Sequence, residues 1–256
     1  MCDRFPVTLD IHTRDERGHV YVLRDDLIGG TKAIYTWRII AENLTADEFV
    51  YATTPEGGLQ IALADACLRY GKRCVLFVAK RAKRHPFTEE LVNHPAVDMI
   101  ELDYSKQGGT FLSRVQAAAE EYCAQSNGRS FNVSFGADYA FAVDAIAERM
   151  QHVSRILGRE PEEVFCSVGS GMLIRGIIKG TQHTRVTGVL IGKEHGLSEF
   201  QTADERVRLL RHHLKYQQAS RFEVSFPCNV NYERKAFEYC LRERVSARVL
   251  FWNVFR

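Results

Sequence analysis

The sequence predicts an α/β protein in which parallel or mostly parallel twisted sheets carry helices on both faces. Strand-like and helix-like segments alternate almost without interruption along the chain. Segments such as Glu163 to Val168 read as strands buried on both faces, which is how parallel sheets look in sequence. No repeat, low-complexity tract or obvious linker interrupts the alternation.

The elements follow in order. Val20-Tyr21-Val22-Leu23 is an apolar strand, and Ala33 to Ala41 has helical spacing. Glu48 to Thr53 reads as a strand, Gly58 to Tyr70 as a helix, and Arg73 to Ala79 and Val97 to Asp103 as strands. Phe111 to Gln125 is helical, Ser130 to Phe135 short and β-like, and Ala140 to Leu157 a long amphipathic helix. After the strand at Glu163 to Val168 come a helix at Met172 to Gln182 and a strand at Arg185 to Ile191. A helix is expected over Ala203 to Gln217, a strand over Arg221 to Phe226, a helix over Tyr232 to Val245, and a last strand over Arg248 to Val254.

A chain of 256 residues forms one large domain or two small lobes. Apolar content of 45% and charged content of 26% are ordinary for a globular protein, and a net charge of +2 points to no particular partner. No apolar run reaches membrane-spanning length, and the start, Met1-Cys2-Asp3-Arg4, has no signal-peptide apolar core. The seven cysteines are odd in number, lack a Cys-x-x-Cys pair and lie mostly in apolar segments, so they read as reduced core residues of a cytoplasmic protein. The nine histidines show no metal-ligand spacing, and no metal site is expected.

The segment richest in chemistry is Arg24-Asp25-Asp26-Leu27-Ile28-Gly29-Gly30-Thr31-Lys32-Ala33. Its glycines allow a tight turn between strand and helix, and Lys32 falls in the first helical turn. There the positive end of the helix dipole favours the neutral amine, the form that condenses with an aldehyde. The alternative is an ordinary solvated lysine after a Gly-Gly turn.

Two other loops leave strand ends and open helices, where α/β proteins bind ligands. In Ser167-Val168-Gly169-Ser170-Gly171-Met172 the glycines let backbone amides converge on an anion at a helix N-terminus. A ligand-free strand-to-helix turn has the same composition. In Thr53-Thr54-Pro55-Glu56-Gly57-Gly58-Leu59-Gln60, Pro55 and Glu56 also suit simple helix capping. Two basic stretches, Lys80-Arg81-Ala82-Lys83-Arg84-His85 and Arg206 to Lys215, read first as solvated surface; a run at a strand end could also receive phosphates of a nucleotide or nucleic acid.

The Arg24 to Lys32 motif, the Ser167 to Met172 loop and the final strand Val249-Leu250-Phe251-Trp252-Asn253, in that order and spacing, resemble the fold-type II pyridoxal-phosphate (PLP) enzymes. These are the tryptophan synthase β-like superfamily, and the aminocyclopropane-carboxylate deaminase and D-cysteine desulfhydrase branch comes closest. The resemblance runs over nearly the whole chain, shortened relative to its relatives. It implies two lobes, a larger PLP-binding one of residues 1–41 and 151–256 and a smaller inserted one of residues 42–150. It implies a homodimer and the cofactor pyridoxal 5′-phosphate, with Lys32 as the Schiff-base lysine and proton carrier.

The phosphate would lie on Gly169, Ser170, Gly171 and Met172, although the family's further Gly and Thr are replaced by Met172 and Leu173. The family's substrate loop, Ser-x-Gly-Asn, falls on Glu56 and Gly58: Gly58 stands where an Asn touches the cofactor ring, and Glu56 would repel a substrate carboxylate. Val254 stands where relatives place a Thr that bonds the pyridine nitrogen; Asn253 takes that place if the strand is shifted, and is otherwise a polar residue near the terminus. The implied activity is a lyase acting at Cα of a small amino-acid substrate by elimination or deamination. The alternatives are a PLP decarboxylase, including one acting on an amino-acid group attached to a nucleotide or DNA base, and a non-catalytic scaffold.

Overall fold

Ten strands and seven helices are found among the described residues of the computed structural model, which are 5–27, 30–104, 111–191 and 204–254. The strands are β1 (Leu9–Asp15), β2 (Gly18–Arg24), β3 (Glu48–Thr53), β4 (Arg73–Ala79), β5 (Val97–Leu102), β6 (Ser130–Val133), β7 (Glu163–Val168), β8 (Arg185–Leu190), β9 (Val207–Arg211) and β10 (Arg248–Asn253). The helices are α1 (Thr31–Glu42), α2 (Leu59–Arg69), α3 (Pro86–Val92), α4 (Phe111–Gln125), α5 (Ala140–Ile156), α6 (Met172–Gly180) and α7 (Glu233–Glu243). The chain divides into two compact units, one of Met1–Ile34 with Tyr139–Arg256 and one of Tyr35–Asp138.

The first unit holds a six-stranded sheet of order β1-β2-β10-β7-β8-β9. All neighbours are parallel except the hairpin pair β1 and β2. β10 is central, with Trp252 opposite Leu23 of β2 on one side and Cys166 of β7 on the other. Its residues Val249 to Asn253 are all buried, as a strand covered on both faces requires. On one face Val22, Phe165, Val189 and Phe251 pack with Phe237 and Cys240 of α7. Burying each such large side chain contributes about 1.5–3 kcal/mol. Gly188 points the other way, and there Ile174 of α6 approaches it so closely that an added Cβ would stand 2.5 Å from the Ile174 Cδ1. α5 packs along α6 and lies wholly in this unit.

The second unit holds a parallel sheet of order β5-β4-β3-β6. Val50, Ala52, Val75 and Phe77 meet Val115 and Ala119 of α4 on one face. Phe49, Tyr51 and Leu76 alternate to the other face and are also buried.

Two expected elements differ. The helix expected over Ala203 to Gln217 is instead strand β9 followed by irregular chain; residue 203 lies outside the described residues. Pairing with β8, from Val186↔Val207 to Leu190↔Arg211, decides the matter, because tertiary pairing overrides the helical spacing of Val207, Leu210 and Leu214. The expected strand Arg221 to Phe226 pairs with no strand among the described residues. Its period-two pattern is real, but Phe222, Val224 and Phe226 use it to pack on the α7 cluster. β1 and α3 are elements the sequence reading lacked.

Candidate active site

Lys32 is the second residue of α1, at the carboxyl end of β2. The turn that delivers it depends on Gly30, where a Cβ would stand 2.0 Å from the Asp25 carbonyl oxygen. Gly29 of the same motif lies outside the described residues. Beneath the turn, buried Asp25 accepts from the Thr31 hydroxyl, from Trp252 Nε1 at 3.1 Å and from Arg149 Nε at 3.2 Å. Trp252 Nε1 also reaches Thr31 Oγ1 at 2.9 Å, and Arg149 donates to the carbonyls of Phe5 (2.6 Å) and Pro6 (2.9 Å). The start of α1 is therefore tied to β10 and α5 by one buried charge pair with its donors used.

The Lys32 side chain is half-buried, and its Nζ donates to the Val254 carbonyl at 3.2 Å. Burial pushes its amine down to about 8, against the opposing pull of Glu233 and Asp25. Glu233, in the first turn of α7, is 1% exposed, and burial pushes its carboxyl up to about 7 while the Lys32 charge pulls it down. One oxygen of Glu233 accepts from Ser167 Oγ at 3.4 Å; the other, Oε2, is buried with no hydrogen-bond partner. Burial drives the two groups toward each other, the amine down and the carboxyl up, and the attraction between their charges opposes both shifts.

The Gly169 to Met172 loop leaves β7 beside this pair. Gly171 is the left-handed N-cap of α6, with φ 79°, and no side chain caps the helix start. A Cβ on Gly169 would meet the Tyr232 hydroxyl at 2.4 Å, so the loop is shaped around that phenol. Burial holds the phenol well above its ordinary pKa. Ser170 is exposed and Met172 buried. Asn253 is buried and its amide nitrogen is committed, donating to Asp26 Oδ1 at 2.8 Å and to the Pro227 carbonyl at 2.9 Å, while its Oδ1 has no partner. The structure thus brings together Lys32, the Gly169 to Met172 loop and Asn253 within one unit.

Glu56 and Gly58 belong to the other unit, at the carboxyl end of β3, where Gly58 is the N-cap of α2. Glu56 pairs with Arg81 at 3.0 Å, so the charge expected to repel a carboxylate is balanced by a guanidinium. Arg84 of the same basic stretch pairs with Glu101 at 2.8 Å.

Tyr232 and Glu233 escaped the sequence reading. A glutamate in a first helical turn looks like an ordinary dipole partner, and only the fold carries it to Lys32. A signal was present: the turn Cys228-Asn229-Val230-Asn231, in which Asn229 Oδ1 caps the Asn231 amide at 2.9 Å, opens α7 onto the same end of the sheet as the glycine loop.

The residues present fit a bound pyridoxal phosphate. There is a desolvated amine, an uncapped helix N-terminus behind two glycines, and an acidic oxygen left without a partner. Among the described residues no group of three or more His, Cys, Asp or Glu is arranged to hold a metal, and no helix is long and apolar enough to cross a membrane.

The fold is shared with several solved enzyme structures. The solved structure of an ACC deaminase homologue superposes with a TM-score of 0.78 at 14% identity, covering 99% of this chain and 93% of that one. A fungal L-serine ammonia-lyase from Rhizomucor miehei gives 0.68 at 15% identity, with 97% and 92% covered. O-acetyl serine sulfhydrylase isoform 3 from Entamoeba histolytica gives 0.69 at 11% identity, with 96% and 84% covered. No family model matches the sequence, and no curated protein matches it.

Proposed function

We propose that this protein is a pyridoxal 5′-phosphate-dependent lyase that acts at the Cα of an amino-acid substrate by elimination or deamination. The observation that carries the reading is the desolvated Lys32 amine set against Glu233, whose second oxygen has no partner. The names of an L-serine ammonia-lyase and an ACC deaminase homologue among proteins of the same fold support the reaction class.

When bound, pyridoxal phosphate supplies the electron sink that weakens a bond at Cα. Lys32 would hold the cofactor through its amine, and the same amine would hold or return the proton at Cα. The amides of Gly169 to Met172 would hold the phosphate, aided by the α6 dipole. Glu233 would supply the acidic group for the ring nitrogen, a role that Val254 cannot fill, and Ser167 donates to its carboxylate at 3.4 Å. Asn253 keeps the end of β10 against Asp26.

Decarboxylation is the weaker reading. It drew on an unbalanced carboxylate at Glu56, and Arg81 balances that charge. A nucleotide or DNA substrate drew on the stretch from Lys80 to Arg84, where Arg81 and Arg84 are already paired.

The test is direct. Purified protein incubated with the cofactor is expected to absorb near the visible edge, and borohydride is expected to fix the label on Lys32 by peptide mass spectrometry. Label on another lysine, or covalent cofactor retained in Lys32→Ala, would overturn the assignment. Ammonia and a keto acid as products support the lyase; carbon dioxide and an amine move the conclusion to decarboxylation.

A further inference from the structure

The basic stretch from Arg206 to Lys215 does not form one solvated helix face. Arg206 is locked on Asp204 at 2.7 Å, and Arg208 pairs with Glu243 at 3.2 Å. Beyond the carboxyl end of β9 the chain turns irregular and forms, with the second half of α7, a cleft of about 650 Å³. None of the residues gathered around Lys32 lines it.

The floor of this cleft is built. Ser220 and Glu238 are 4% and 6% exposed, and Ser220 Oγ donates to Glu238 Oε2 at 3.3 Å. The Phe222 amide in turn donates to Ser220 Oγ at 3.1 Å, which fixes the hydroxyl. Buried His212 takes the Leu214 amide on Nδ1 at 3.0 Å, so a proton of the neutral ring sits on Nε2. That nitrogen points at Glu238 Oε2 from 3.5 Å and makes no hydrogen bond.

The walls have one charge and two textures. Arg242 lies against Glu238 Oε1 at 2.9 Å, and Arg221 has no hydrogen-bond or ion-pair partner among the described residues. Two guanidiniums, Arg221 and Arg242, thus line the cleft with a single carboxylate, Glu238, leaving a surplus of about one positive charge for an anionic group. Guanidinium pairs match phosphate oxygens bidentately. The space far exceeds one phosphate and lies within the usual range for organic ligands, and Leu214, Ala219 and the Phe222 ring give it apolar wall.

We propose that this cleft binds a small organic phosphate monoester, a ligand of mononucleotide size whose phosphate lies between Arg221 and Arg242 and whose organic part lies against Phe222. The site stands apart from the Lys32 centre and does not depend on the reading of that centre. α7 joins the two, carrying Glu233 at its start and Glu238 and Arg242 in its later turns.

The test is calorimetric titration with adenosine 5′-monophosphate, adenosine and inorganic phosphate. The protein is first loaded with pyridoxal phosphate, reduced with borohydride and dialysed, so that Lys32 is occupied and no free aromatic phosphate remains. The monophosphate is expected to bind with a Kd of about millimolar or tighter, at least about tenfold more tightly than adenosine or phosphate alone. In Arg221→Ala/Arg242→Ala, both exposed residues, that affinity is expected to fall at least about tenfold. Covalent loading at Lys32 and the thermal midpoint are expected to stay as in the parent. Equal affinity for adenosine, no heat from any of the three probes at about millimolar concentration, or unchanged affinity in the double variant would each overturn the proposal.

Discussion

The phenolic oxygen of Tyr232 stands 2.4 Å from the point a Cβ on Gly169 would occupy. Glycine is thus required there by contact with the side chain of the α7 N-cap residue. Gly169→Ala is expected to push the ring aside and lower stability by about 1–3 kcal/mol, the usual cost of overpacking. Tyr232→Phe removes the clashing oxygen and leaves the ring carbon Cζ at 3.6 Å, an ordinary contact. The double variant should recover most of the loss, with a coupling of about 1 kcal/mol in urea unfolding. Additive effects would separate the loop from α7.

The Lys32 and Glu233 pair sets a pH dependence. Burial lowers the lysine to about 8, and the Glu233 charge opposes that lowering. Capture of pyridoxal phosphate needs the neutral amine, so its rate should rise with pH through a midpoint near 8. Glu233→Gln removes the opposing charge, and the midpoint should move to lower pH. A shift to higher pH in stopped-flow absorbance would contradict the pairing.

Arg149 is 2% exposed and holds Asp25 in the interior. Arg149→Met leaves that carboxylate without its cation, and a loss of about 3–5 kcal/mol is expected. Arg149→Met with Asp25→Leu removes both charges and should be less damaging than Arg149→Met alone, though the Trp252 and Thr31 donors lose their acceptor. Denaturant midpoints of the three proteins decide it.

The pair of Glu56 and Arg81 is of the opposite kind. Arg81 is 54% exposed, and pairs of this sort are worth about 0–1 kcal/mol. Glu56→Gln should therefore barely move the thermal midpoint. If the loop grips a substrate carboxylate, this variant leaves Arg81 unopposed and should lower KM for a carboxylate-bearing amino acid, and Arg81→Ala should raise it. Equal KM values in both variants would detach the loop from substrate binding.

The contrast between these residues shows what a sequence carries. The placement of Lys32 and of the glycine loop was legible because it is local: a strand end, a turn and a helix start within about ten residues of chain. The strands Glu48–Thr53, Arg73–Ala79 and Glu163–Val168 were equally legible, since apolar runs bounded by polar turns have few other uses. β1 was not, because its run Leu-Asp-Ile-His-Thr-Arg-Asp is that of an edge strand with one solvated face. Nor was the strand at Val207–Arg211, whose leucines fit a helix until β8 lies beside them. Glu233, Tyr232 and the Arg81 partner of Glu56 depend on long-range contacts, and periodicity has no access to those.

β10 fills the gap between β2 and β7, and so the sheet is completed out of order. As a ribosome delivers the chain, the β1–β2 hairpin emerges early with one edge of β2 open and Val20 and Val22 uncovered. The strand that seals this edge comes at Arg248–Asn253, more than two hundred residues on. At about 5–20 residues per second the nascent hairpin waits roughly ten to forty seconds for its neighbour. Trp252, which anchors the turn before Lys32, arrives with that same strand. The parallel sheet of the second unit, Tyr35–Asp138, needs none of this delayed segment and can form while synthesis continues. Vectorial synthesis therefore makes the lysine-bearing half of the molecule the last to mature, and the half exposed longest to chaperones and to self-association.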